Sequence, residues 1–320
     1  MREIPPELLT GPFTRERAAA LGVSSRMLQG SRFTRLHHRV WRHGEQGMTE
    51  EDWITAARLA LPADAHLTGI TRLQQLGLDL GPRRPLRFVI GRDHHLALNG
   101  VFLHRTKRLP PTDDVGVVVP AAYLAFCARA RTIDAIKVGD WLLHHGHMDA
   151  GDLRALALSA LWRDGAHEAV WILDHLDARS RSLKESETRS IPSFANLPAP
   201  EVNVAVDVHE NVEVIGDLVY HEHGLVVEYE GAHHQEDRGQ YVADLDRYAL
   251  MRHARVPYLQ VTREKLDRPR TLVGDVYRAL LSCGYTGPPP TFGESWRQLF
   301  LAVSVAVGPR RDRIAGRAVS

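Results

Sequence analysis

Apolar positions along the chain recur in two rhythms. Where they fall three or four apart, amphipathic helices are predicted: "TRERAAALGV", "TEEDWITAARLAL", "HLTGITRLQQLGL", "YLAFCARA", "IDAIKVGDWLLHHG", "HEAVWILDHLDARS", "TLVGDVYRALLSC" and a final "SWRQLFLAV". Short runs rich in aliphatic and β-branched residues predict strands: "PLRFVIG", "VFLHRTK", "VEVIGDLVY" (212–220), "LVVEYE" (225–230) and "VPYLQVT" (256–262). The polar turn "HEHG" ends in glycine and folds 212–220 back on 225–230 as a hairpin. "LPAPEV" (197–202) reads as a break in the chain, "GPPPTFG" as a linker, and the segment from Gly308 onward as a basic tail. Helices and strands interleave, so a multidomain α+β chain is expected.

The polar positions sharpen the N-terminal end. Thr14 is a candidate N-cap with Gly22 as the stop, and Ser24 or Ser25 caps a second short helix that ends at Gly30. "RFTRLHHRVWRHG" then alternates apolar and basic residues like a small hairpin. Helix, turn, helix and basic wing is the layout of a winged helix-turn-helix, whose second helix enters the major groove while the wing meets phosphates. From Arg17 to Gly44 there is no acid, while Arg17, Arg26, Arg32, Arg35, Arg39 and Arg42 fall there. Arg26, Arg32, Arg35 and Arg39 are the expected DNA contacts.

Bulk composition changes the picture little. A length of 320 residues suggests about two domains. With 40 basic and 39 acidic residues the net charge is +1, so any nucleic-acid site has to be a local patch. No apolar run reaches the ~18 residues of a membrane span, and the N-terminus lacks a signal-peptide core. Cys127 and Cys283 have no CxxC partner, which suits a reducing cytoplasm. His144, His145 and His147 end an amphipathic segment without a carboxylate at ligand spacing, and a helix-terminal role is expected of them. The middle region carries no phosphate loop, GxGxxG or GxSxG.

Chemistry concentrates in the hairpin. Strand alternation puts Glu228 and Glu230 on one face, above Val226, with Leu225, Val227 and Tyr229 opposite. The turn brings Asp217 beside Glu228. Two carboxylates ~4 Å apart repel by about 4 kcal/mol at an effective dielectric of ~20, and a hard cation such as Mg²⁺ or Mn²⁺ removes that cost. His233 and His234, just past the strand, suit a general base or leaving-group acid. A solvent-facing acid pair on a strand end is the plainer alternative.

"GDLVY", "LVVEYEGAHHQ" and "YVADLDRYALMRHARVPYLQVT" together resemble the PD-(D/E)xK restriction-endonuclease-like fold, in the branch of the very-short-patch-repair endonucleases. "TRERAAALGVSSRML" and "LHHRVWRHG" resemble the winged-helix domain of AbiEi-type antitoxins. The nuclease resemblance implies Asp217 and Glu228 as ligands of Mg²⁺ or Mn²⁺. It implies Glu230 and His233 or His234 as further catalytic groups, with Glu187, Gln235, Asp246 and Arg247 in support. Three points depart from the motif: Glu230 stands where it has lysine, Gly216 where it has proline, and Arg255-Val256 at its usual Gly-Trp step. Lys184, His233 or His234 are candidates to replace the lysine.

The expected division is a winged helix over 1–48, an α/β connecting domain over 49–180, a nuclease-like α/β/α core over 181–285, and a helix with basic tail over 286–320. The expected function is metal-dependent hydrolysis of DNA phosphodiesters in the cytoplasm. The alternative is an antitoxin-like or transcriptional regulator with a degenerate nuclease domain and a toxin or regulatory partner. RNA is a further substrate that the same chemistry permits.

Overall fold

The computed structural model describes residues 3–209, 212–230 and 248–308. It is a mixed α+β structure with three small sheets. The chain divides into two compact units, 1–125 and 126–320. The boundary therefore falls inside the stretch expected as a single connecting domain, and the helices after it belong with the last sheet.

In the first unit, α1 (Arg15–Ala20) starts where the Thr14 hydroxyl accepts from the Arg17 amide at 3.2 Å, and it ends at Gly22, whose φ of 78° only glycine adopts freely. The Ser24 hydroxyl accepts from the Met27 amide at 3.3 Å and caps α2 (Ser25–Leu28). Strands β1 (Phe13–Thr14), β2 (Phe33–His37) and β3 (Val40–His43) form an antiparallel sheet in the order β1-β3-β2. Leu8, Phe13, Ala18, Val23, Leu28 and Phe33 bury a common core beneath them. Each large side chain so buried contributes roughly 1.5–3 kcal/mol, which lets two very short helices hold their shape.

Helix α3 (Glu50–Ala60) begins with a reciprocal capping box between Thr49 and Asp52. A second sheet follows, β4 (Ala65–Leu67), β5 (Leu86–Ile90) and β6 (Val101–Arg105), in that order, with β5 and β6 parallel. "HLTGITRLQQLGL", expected as one helix, is split: Ala65–Leu67 pairs with β5, and α4 (Gly69–Gln74) starts only after Gly69 turns the chain at φ 53°. Helix α5 (Val119–Cys127) carries the chain across the unit boundary.

The second unit starts with α6 (Thr132–His144), α7 (Ala150–Ser159), α8 (Ala166–Leu173) and α9 (Leu183–Phe194). The Ser182 hydroxyl caps α9, accepting from the Glu185 amide at 3.1 Å. A four-stranded sheet follows in the order β10-β9-β8-β7, built from β7 (Glu201–His209), β8 (Val212–Tyr220), β9 (Leu225–Tyr229) and β10 (Tyr258–Val261). The first three run antiparallel and β10 lies parallel to β9. One face carries Val208, Val214, Val219 and Val226, flanked by Val204, Val206 and Tyr258, and the helical Met251 packs on it. Strand β7 escapes the reading of 197–202 as a break, although Val202, Val204, Val206 and Val208 alternate with polar residues along it.

Helices α10 (Arg263–Leu266) and α11 (Pro269–Ser282) come next, and α11 buries Leu272, Val273, Val276 and Leu280. The expected final helix is instead two, α12 (Glu294–Phe300) and α13 (Val303–Val307). Leu301 and Ala302 leave helical geometry because their neighbourhood bonds elsewhere: the Thr132 amide donates to Leu301 O and the Val303 amide to Ala130 O. No described helix is long and apolar enough to cross a membrane.

Candidate functional site

The β8–β9 hairpin turns through His221–Gly224, with Gly224 at φ 60°. Its register runs Tyr220↔Leu225, Val219↔Val226 and Leu218↔Val227. The next rung would pair Asp217 with Glu228, and there side chains enter the ladder. The Asp217 amide donates to Glu228 Oε1 at 3.2 Å, and the Tyr229 amide donates to Asp217 Oδ2 at 3.0 Å. Each acid thus receives a main-chain N–H from the vicinity of the other, and charged acceptors make such bonds stronger than neutral ones.

Glu228 is fully buried and Asp217 half-buried. On the far side, Glu228 pairs in register with Gln260 of β10. Glu230 is exposed, and its amide donates to Val261 O at 2.9 Å. Tyr229 is half-buried, and burial pushes its phenol above the ordinary range. His233, His234, Gln235, Asp246 and Arg247 lie outside the described residues.

Gly216, in the place of the motif's proline, has a packing reason. A Cβ there would lie 2.8 Å from Val219 Cγ2 and 2.9 Å from Val226 Cγ1, closer than real side chains approach. The chain just ahead of Asp217 is pressed against the valine face with no room for a side chain.

Two neighbouring acids serve a different purpose. Glu187 on α9 accepts from Lys137 Nζ and Lys184 Nζ, both at 2.9 Å. Burial alone would raise its pKa, yet the two ammonium groups prevail and hold it below the ordinary carboxylate value. Lys184, a candidate for the missing motif lysine, is in this ion pair. Asp140 on α6 is fully buried; burial pushes its pKa up against the pull of Arg189, whose Nη2 donates to it at 2.8 Å. Both networks cross between α6 and α9, and α9 lies against β8 and β9.

In the first unit, Arg26 on α2 and Arg35 on β2 are exposed and Arg32 is half-buried. Arg35 also donates to His37 O at 3.2 Å. Arg39 sits in the two-residue turn of the β2–β3 hairpin at φ 65°, and its guanidinium binds Glu16. Glu16 lies one residue outside the acid-free stretch, so the sequence shows Arg39 as uncompensated where the fold supplies a partner.

Reasoning from strand alternation alone misses Asn203 on β7. It stands opposite Asp217 at φ 49°, inside the run of alternating valines. Its side-chain amide donates to Arg179 O and to Glu185 Oε2, each at 2.7 Å. Among the polar residues that alternate with these valines, the asparagine was the available signal, since asparagine is among the few residues that tolerate the left-handed region.

Among the described residues no group of three or more His, Cys, Asp or Glu is gathered to hold a metal ion. Asp217 and Glu228 form a set of two. Two hard carboxylates suit Mg²⁺ or Mn²⁺, which take one or two protein carboxylates and fill the remaining positions with water or phosphate oxygen. No family model matches the chain, and neither a curated protein nor a solved structure does.

Proposed function

We propose that the chain is a cytoplasmic, metal-dependent DNA endonuclease with an N-terminal winged helix and a C-terminal restriction-endonuclease-like core. One observation carries the reading. Asp217 and Glu228 face each other where β8 and β9 part, each fixed by a main-chain N–H. The sheet order, with an antiparallel hairpin followed by a parallel β10, supports such a core. In the first unit, two capped short helices followed by a basic hairpin support the winged helix.

In this reading Asp217 and Glu228 would hold Mg²⁺ or Mn²⁺. The ion would supply charge neutralisation at a phosphodiester and a more acidic water. The main-chain bonds keep both carboxylates oriented without reorganisation. Arg26 and Arg35 draw the duplex in by its phosphates, independent of sequence.

A second reading has its own support. Glu228 is sealed from water, and Glu230 occupies the motif's lysine position. A DNA-binding regulator whose nuclease core is only a scaffold is consistent with both. Plasmid nicking by the full chain with Mg²⁺ or Mn²⁺, with and without chelator, separates the two. The enzyme reading expects metal-dependent nicking and a rise in Tm with Mn²⁺; at a hundred times Kd, mass action amounts to about 2.7 kcal/mol. Absence of both would leave the regulator.

A further inference from the structure

Resting on the nuclease reading, we infer that Asn203 is a positioning residue for Asp217. Three observations meet at this point of the sheet. The first is the ladder itself. Strands β7 and β8 pair at Val202↔Leu218 and again at Val204↔Gly216, while Asn203 and Asp217 between them drop out of the pairing. Asn203 is the interruption, because its φ of 49° is incompatible with an extended strand.

The second is the parity of the side chains. Val204, Val206 and Val208 face the valine cluster from β7, and Val214 does so from β8. A Cβ on Gly216 would meet the same face. Past Asp217 the member of that cluster is Val219, an odd position where the preceding ones are even. An undisturbed strand keeps one parity, since its side chains alternate with period two. The break at Asp217 turns β8 over, and the residue at the break is the one whose carboxylate reaches the Tyr229 amide on β9. Strand irregularities that re-aim a side chain are concentrated beside active sites for this reason.

The third is the anchor. The Asn203 side-chain amide donates to Arg179 O and to Glu185 Oε2. Glu185 is itself fixed: its carboxylate accepts from the Arg181 amide at 2.9 Å, and its own amide donates to Ser182 Oγ at 3.1 Å. The left-handed turn of β7 is thus tied to the N-terminal cap of α9. Backbone held in a sparsely populated region and over-determined by its surroundings points to a functional constraint.

The test compares Asn203→Gly with Asn203→Ala and Asn203→Val in the full chain. Glycine adopts φ 49° without strain, alanine does so poorly, and valine not at all. The alanine and valine variants should lose kcat for Mn²⁺-dependent nicking by between about 10- and 100-fold, the scale of a small misplacement of a reacting group. KM should stay constant, and the glycine variant, which keeps the backbone geometry but loses the side-chain tie to Arg179 and Glu185, should lose less than the alanine variant. A second readout needs neither metal nor turnover. Hydrogen exchange at the Tyr229 amide should quicken about tenfold or more in the alanine variant and by less in the glycine variant. If valine prevents folding, the glycine–alanine pair decides. A wild type that nicks, with both variants equally active and equally protected at Tyr229, overturns the positioning role alone. A wild type that neither nicks nor responds to Mn²⁺ overturns the nuclease reading and the positioning role with it.

Discussion

The β2–β3 hairpin turns in two residues and leaves Arg35 and Arg39 in solvent, whereas the β8–β9 hairpin turns through His221–Gly224 and takes Glu228 wholly out of it. Both ladders carry charge beside the turn region, yet at opposite depths. In the proposed reading, a cation meant for phosphate acts over the Debye length of roughly 8–10 Å and needs little orientation, so an exposed hairpin suffices. A carboxylate meant to hold an ion acts at contact distance and depends on a fixed direction, which the main-chain donors around Asp217 and Glu228 provide. Under the proposed function, depth separates attraction from chemistry.

The largest expected effect breaks the buried end of that comparison. Glu228→Gln keeps size and hydrogen bonding but removes the charge; turnover should fall by roughly 10²-fold or more, since several kcal/mol of transition-state stabilisation are at stake. Duplex affinity of the same variant, read by titration, should be unchanged. Equal cutting by wild type and variant would place the chemistry elsewhere.

At the exposed end, Arg35→Ala should flatten the slope of log affinity against log salt by about 0.9, one phosphate contact, and leave kcat of bound complexes alone. An unchanged slope would remove Arg35 from the interface. A smaller effect sharpens the picture within the wing. Because Glu16 holds Arg39, Arg39→Ala should change the slope by less than half as much as Arg35→Ala. In a Glu16→Gln background the two arginines should become equivalent. Thermal midpoints should hardly move, as exposed pairs contribute little to stability.

The smallest effect concerns pH. Glu187 has a folded pKa below its ordinary 4.5. Its ion pairs with Lys137 and Lys184 therefore stabilise fully above pH 4.5, and this contribution is lost as pH falls through the lower folded value. Stability measured by denaturant between pH 6 and 3 should decline less steeply in Glu187→Gln; parallel profiles would show that other carboxylates govern the acid limb.

Local rules made much of this legible in sequence. Thr14, Ser24 and Ser182 act as caps because capping depends on neighbours three residues away. Asp217 and Glu228 meet because a short polar turn sets a hairpin register. What local rules could not supply is long-range. Gly69 splits a helical pattern because the Ala65–Leu67 segment has β5 to pair with, and Leu301–Ala302 breaks another because it bonds beside α6. Period-two alternation also carries no information about where a strand turns over, so the spacing of the valines does not mark Asn203.

The topology of β9 has a consequence for how the chain assembles. Its antiparallel partner β8 arrives by a four-residue turn, but its parallel partner β10 arrives only after the whole crossover from Glu230 to Pro257. Hairpins close in roughly 1–10 μs, while contacts distant in sequence have to overcome loop-closure entropy first. The β7–β8–β9 meander should therefore form before β10 docks. In pulse-labelling during refolding, the Val226 and Glu230 amides, which donate to Pro257 O and Val261 O, should gain protection after those of β8. Until that step Glu228 stands at an open sheet edge with water for company, so a carboxylate that the finished fold conceals completely is concealed late.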